Sequence, residues 1–302
     1  MTGYLHREYA ESLSEFGTPR ELPGSQGWIL ERDIAGTDAR DAMGGYPLFA
    51  CRDWPRLKPD LDGLDRELVS LVVVSDPFGD YTEAGLRDAF RDLVVPFKKH
   101  FVVDLRDDPD TFIPAHHRRN VRKALASVRV ENCDDVPSTL SEWASLYRGL
   151  IKRHSIHGIS RFSDSCFEKQ LRVPGAVMFR AIHERRTVGM VWWFVSGPVG
   201  YYHLGAYSQK GYDLGASFAL FWEAIRLFKA EGLRWLNLGA GAGLGGSAND
   251  GLSRFKRGWS NATRTAYLCG RIFDRSRYDE IALRKGIKST GYFPAYRQGE
   301  FT

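Results

Sequence analysis

Leu233-Arg234-Trp235-Leu236-Asn237-Leu238, then Gly239-Ala240-Gly241-Ala242-Gly243-Leu244-Gly245-Gly246, then Asp250-Gly251-Leu252-Ser253-Arg254-Phe255-Lys256-Arg257-Gly258-Trp259: this stretch decides the fold. Its first six residues alternate and read as a strand. Upstream, Tyr201-Tyr202-His203-Leu204-Gly205-Ala206-Tyr207 is short and aromatic, bounded by Gly200, and reads as a second strand. Between the two, Phe218, Leu220, Phe221, Trp222, Ile225, Leu227 and Phe228 recur mostly at helical spacing, and Gly232 stops the helix. Strand, helix and strand in that order predict a parallel pair joined by a crossover.

The crossover opens on Gln209-Lys210-Gly211-Tyr212-Asp213-Leu214-Gly215-Ala216-Ser217, a glycine-bearing loop expected to wrap a ligand and then enter the helix. Free N–H groups and the helix dipole suit such a place to a phosphate or pyrophosphate. Its G-x-x-x-G spacing differs from a dinucleotide fingerprint, and no phosphate-loop lysine follows. The glycine run 239–246 is expected either to approach a ligand or to serve as a connector.

The 302 residues suffice for one large or two modest domains, and 43% hydrophobic with 26% charged residues is an ordinary globular mixture. No apolar run approaches the ~18 residues that span a bilayer, and no signal core opens the chain. Cys51, Cys133, Cys166 and Cys269 are scattered without a C-x-x-C pair, so neither a metal site nor a disulfide framework is expected, and a cytoplasmic location is. The net charge of +5 is unevenly placed: residues 253–302 carry eleven Lys/Arg against four Asp/Glu. A basic tail of this kind suits a polyanionic partner, or else is a solvated face.

Ahead of the deciding stretch, Gly27-Trp28-Ile29-Leu30-Glu31, Tyr46-Pro47-Leu48-Phe49-Ala50-Cys51, Leu68-Val69-Ser70-Leu71-Val72-Val73-Val74-Ser75 and His100-Phe101-Val102-Val103-Asp104-Leu105 read as strands. A helix is expected over 82–93 with Thr82 as N-cap. Further helices are expected over 139–154 and over 163–171, and a hairpin over 177–195 turning at Glu184-Arg185-Arg186. Both halves alternate as α/β units of comparable length, without a tandem repeat. His116-His117-Arg118-Arg119-Asn120-Val121-Arg122-Lys123-Ala124-Leu125 starts a basic helix in which Arg118/Arg122 and Arg119/Lys123 stand at i, i+4. Like charges crowded on one face suggest an acidic ligand; an exposed, mobile face is the plain alternative.

These residues resemble the GNAT acyltransferase superfamily, specifically its Fem-like branch of aminoacyl-tRNA-dependent transferases. The segment 117–124 is similar to that branch's R-x-x-x-R-K-A stretch, and 201–238 to the superfamily's donor-binding core. Asp250 to Trp259 is similar to the D-G-L-x-x-F-K-x-G-F signature, with Trp259 in place of Phe. The likeness spans about residues 115–260. It implies an α/β (α+β) fold of two tandem GNAT-like domains, each a mixed sheet flanked by helices, divided here as 1–130 on the acceptor side and 131–302 as catalytic.

The resemblance further implies direct attack of an amine on an activated acyl group, with no covalent enzyme intermediate. Phe255 and Lys256 match the family's Phe-Lys pair, and the lysine would stabilise the tetrahedral oxyanion. Gly211, Tyr212, Gly215, Ser217 and Arg254 are the candidate donor contacts. Arg118, Arg119, Arg122, Lys123 and His203 are the candidate acceptor contacts, His203 being the best placed of the histidines for a base. The donor is a co-substrate rather than a resident cofactor: aminoacyl-tRNA, or acyl-coenzyme A as the alternative, since 209–216 holds the ingredients of a coenzyme A loop at a different spacing. Partners are then tRNA and a small-molecule, peptide or glycan amine. A non-catalytic binding module on the same fold is a third reading.

Overall fold

A computed structural model describes residues 1–64, 68–241, 250–287 and 290–300. In chain order the elements are α1 (Arg7–Ser12), β1 (Thr18–Leu22), β2 (Gly27–Asp33), β3 (Arg40–Gly44), α2 (Leu57–Asp62), β4 (Ser70–Val74), α3 (Glu83–Phe90) and β5 (Leu93–Asp104). There follow α4 (Pro109–Phe112), α5 (Ala115–Leu125), β6 (Arg129–Asn132), α6 (Leu140–His154), α7 (Asp164–Gln170), β7 (Ala176–His183), β8 (Arg186–Ser196) and β9 (Val199–Tyr207). The last are α8 (Gln209–Asp213), α9 (Ala216–Ala230), β10 (Trp235–Asn237), α10 (Gly251–Arg257), β11 (Ala262–Ile272) and α11 (Arg275–Arg284).

The chain forms two compact units. One holds residues 1–3, 99–156 and 163–264; the other holds 4–98, 157–162 and 265–302. These differ from the expected cut at residue 130. The cause is packing: β5 pairs with β10, and α5 lies on α9, so 99–130 belongs to the core of the later half.

The two units are built alike. In the first, strands run β6-β7-β8-β9-β10-β5 and are antiparallel except for the parallel pair β9/β10. In the second they run β1-β2-β3-β4-β11, antiparallel except for the parallel pair β3/β4. Each is thus a mixed sheet with helices against it, and each is closed by a strand distant in sequence. That closure is invisible to local patterning, which is why β11 did not emerge from the sequence. The expected strand 46–51 is reduced to a single bridge between Phe49 and Ser75.

In the first unit α9 buries Ala219, Leu220, Phe221, Ala224, Ile225 and Phe228 against the sheet and α5. Each large side chain fully buried there contributes about 1.5–3 kcal/mol. On the sheet's other face, Trp143 and Tyr147 of α6 pack with Phe167 of α7 and Trp192 of β8. Helix α3 starts at the expected cap, the Thr82 hydroxyl accepting from Gly85 N at 3.0 Å, and Ser163 caps α7 in the same way.

Candidate active site

The signature 250–259 is a short helix with a task for most positions. Asp250 caps α10: its carboxylate accepts from Ser253 N at 2.8 Å and from Ser253 Oγ at 2.6 Å. These bonds hold its carboxyl below the usual range. The Phe255 ring packs on Phe218 and Phe221 of α9, with centroids 5.3 and 5.0 Å apart. Its carbonyl accepts from His117 Nε2 of α5 at 3.2 Å. A Cβ on Gly258 would stand 2.2 Å from a carbon of the same imidazole, so only glycine leaves room for that ring. Trp259, fully buried, lies against His117 and Phe221. His117 therefore ties the two sequence motifs together. Burial lowers its pKa, and the carbonyl partner assigns the proton to Nε2.

Next to Phe255 in the chain, Lys256 is buried. The residue is 5% exposed; its Nζ donates to Ala240 O at 2.7 Å and lies 5.5 Å from the Tyr202 ring centroid. Burial pushes the ammonium down to about 7, with the charge of Asp250 pulling the other way. Among the described residues Nζ makes one hydrogen bond, and an ammonium has three donors to give.

The carbonyl that holds it is set by the end of β10. Asn237 Oδ1 accepts from Gly239 N and from His100 Nδ1, each at 2.9 Å, while Gly239 O accepts from Phe101 N at 3.0 Å. Gly239 has φ +74°, and a Cβ there would sit 3.2 Å from Nζ. Both facts favour glycine. Strand β10 pairs with β9 from Trp235↔Val199 as far as Asn237↔Tyr201, whereas β9 runs on to Tyr207. The parallel strands part at that point, and the ammonium stands over Tyr202, the first residue beyond it.

The remaining sequence-derived residues divide. Gly215 (φ +66°) precedes α9, whose N-terminus has no side-chain cap, so the amides at Ala216 and Ser217 open a fifteen-residue helix as an anion site would. The segment 209–213, expected as loop, is the short helix α8, capped by Ser208. Gly211 is buried in it, where a Cβ would lie 2.0 Å from Val188 O; packing accounts for this glycine. Tyr212 is exposed and stacked under Arg153 at 4.2 Å. Arg254 is exposed on α10.

Arg119, Arg122 and Lys123 are exposed on α5. Arg118 is not available in the same way, since its guanidinium donates to Asp110 O at 2.7 Å and Ile113 O at 2.6 Å. His203 is a correction. It is buried between Trp192 and Phe194 with Nε2 on Gln170 Oε1 at 3.2 Å, on the sheet face away from Tyr202 and α9. Burial depresses its pKa to about 3, leaving it a neutral core residue. Of the glycine run 239–246, residues 242–246 lie outside the described residues. No group of three or more His, Cys, Asp or Glu side chains among the described residues could hold a metal.

Sequence reasoning missed Asn237, His100, Tyr202 and the structural use of His117 and Gly258. Asn237 carried a signal, a lone amide in an apolar strand. His117 was visible only as part of a charge run.

The site thus joins a parallel strand pair that parts beside a buried cation with a helix N-terminus that lacks a side-chain cap. Residues 115–257 match the family model described as acetyltransferase (GNAT) domain, so the chain carries a GNAT domain and is an acyltransferase of that type. It is similar to FemX at TM-score 0.67 and 13% identity, covering 91% of this chain and 93% of that one. It is similar to the C-terminal DUF2156 domain of an Agrobacterium fabrum protein named for lysylphosphatidylglycerol synthetase, at 0.60 and 14%, covering 92% and 90%. Similarity to L-PGS from Bacillus licheniformis is 0.56 at 16%, covering 95% and 97%. These likenesses are of fold. No curated protein matches the sequence. No helix among the described residues is long and apolar enough to cross a membrane.

Proposed function

We propose that the chain transfers an aminoacyl group from aminoacyl-tRNA to an amine, forming an amide. The nitrogen lone pair attacks the ester carbonyl carbon, the C=O electrons move to oxygen, and Lys256 donates to the resulting oxyanion. Collapse breaks the ester C–O bond and releases the terminal ribose hydroxyl, which takes the proton given up by the amine. The observation that carries this reading is the ammonium of Lys256, desolvated at the parting of β9 and β10 and held by one carbonyl. A donor preset in a dry site stabilises developing negative charge far better than one in water. Phe255 acts through packing, by fixing α10 on α9. The α9 N-terminus at Gly215 and Ser217 would receive a donor phosphate. Exposed Arg119, Arg122 and Lys123, with Arg254, would meet an acidic acceptor or the rest of the donor.

The resemblance of 250–259 to the Fem-like signature, together with the FemX-like fold, supports tRNA as the donor. The match to a domain described as an acetyltransferase favours a second reading, acyl-coenzyme A, at the same helix terminus. Parallel incubation with labelled aminoacyl-tRNA pools and with acyl-coenzyme A, each with a mixture of peptide and amino-sugar amines, separates the two. Consumption of the tRNA ester alone is expected; turnover of the thioester without tRNA would replace the first reading by the second.

A further inference from the structure

Trp235, at the start of β10, is half-buried and has three guanidiniums about its ring: Arg234 at 4.9 Å, Arg264 of β11 at 5.2 Å and Arg106 at 6.0 Å. Arg257 lies 5.9 Å from the ring of Phe101, on the strand paired with β10. Two carboxylates share the neighbourhood. Asp104 is engaged by Arg106 at 2.6 Å, and Asp107 accepts from Asn261 Nδ2 at 2.8 Å. Lys229 donates to the carbonyls of Leu105 and Asp107. Among the described residues named here, basic groups outnumber acidic ones five to two. Arg234, Arg264 and Arg257 are exposed.

We infer that this surface, Trp235 with Arg106, Arg234 and Arg264, grips the RNA of the donor. The inference rests on the aminoacyl-tRNA reading and deepens it. Guanidiniums gathered on an indole combine phosphate pairing with a planar stacking platform, the combination by which single-stranded and looped RNA is held. Position agrees with the chemistry. Trp235 and Ala240, whose carbonyl holds Lys256, are five residues apart, so at most about 18 Å separates them. A tRNA seated there would have its acylated end within reach of the ammonium. Beyond Arg264, four arginines of the basic tail are already engaged. Arg271, Arg275, Arg277 and Arg297 are ion-paired with Asp62, Asp92, Asp38 and Asp41.

The test measures binding of unfractionated tRNA to the full chain across a salt series, for wild type, Arg234→Ala/Arg264→Ala and Arg234→Lys/Arg264→Lys. Melting curves verify that each is folded. Expected is a loss of about tenfold or more at ~0.1 M salt for the alanine pair, with the salt slope reduced by about 1.5. The lysine pair should recover most of the slope and only part of the affinity, because stacking is lost. Equal affinity and slope in all three would overturn the assignment while leaving the tRNA reading standing. No tRNA binding by wild type would overturn both. Patch-dependent binding to phosphatidylglycerol vesicles without tRNA binding would overturn it in favour of a membrane surface.

Discussion

At the scale of single residues, Lys256 and His117 illustrate two uses of burial. Desolvation brings the Lys256 pKa from the ordinary lysine range down to about 7. The unfolded chain then binds the extra proton between about pH 7 and the unfolded pKa near 10.5, so stability rises with pH across that window. Below about pH 7 both states are protonated and the cost of the buried charge is fully present. Lys256→Met should therefore fold, melt higher than wild type near neutral pH, and lose the rise in stability between pH 7 and 10. Thermal melts of both proteins over pH 6–10 check this; parallel curves would show that the ammonium is hydrated. If the charged form does the chemistry, kcat/KM should fall on the alkaline side of about pH 7 in the free enzyme. His117 uses burial differently. Its ring occupies the space that Gly258 vacates. Gly258→Ala should destabilise by about 1–3 kcal/mol through overpacking. In combination with His117→Ala the loss should be smaller than the sum, by denaturant titration of the cycle.

At the scale of elements, the deciding unit was legible because each part advertises itself locally. The aromatic strand, the crossover helix at 3.6-residue spacing and the stopping Gly232 are all intrinsic to their own segments. The parallel pairing of β9 with β10 followed from their order. Helix α8 was illegible because Gly211 reads as loop, while its real cause is the approach of Val188 O from another strand. The site showed the same division. Lys256, Phe255 and Asp250 stood in one quoted motif, whereas Asn237 and His100 are 137 residues apart and meet only across β10 and β5. His203 misled because a histidine in a central strand has two faces to choose from, and the residue after Tyr202 takes the wrong one. At this scale Asn237→Ala is the informative change. It removes the acceptor that fixes Gly239 N and His100 Nδ1. Turnover should fall more than tenfold with a loss of about 1–3 kcal/mol in stability. A variant equally unstable yet fully active would detach the Ala240 loop from the chemistry.

At the scale of the whole molecule, the uneven charge of the chain has a structural meaning. Four of the eleven basic residues of 253–302, Arg271, Arg275, Arg277 and Arg297, pair within the second unit with aspartates from the first hundred residues. Arg297 holds Asp41 at 2.9 Å, with Asp41 fully buried, and Arg32 approaches the same carboxylate at 3.3 Å. Removing the acid alone would leave the two guanidiniums to share Glu300, with Asp33 O as a further acceptor for Arg297. Asp41→Asn should cost about 3–5 kcal/mol, with a lowered melting temperature and turnover per folded molecule unchanged. The twin sheets, each with one parallel pair and each closed by a remote strand, explain why tandem α/β units were readable while their borders were not.

The most direct test is single-turnover amide formation by folded wild type and Lys256→Met, with the acyl donor saturating and at matched pH near 7. A buried ammonium that meets the oxyanion predicts a rate lower by about 10²–10³ in the variant with donor binding retained. Equal rates would contradict the account, because the carbonyl would then turn negative without this cation beside it.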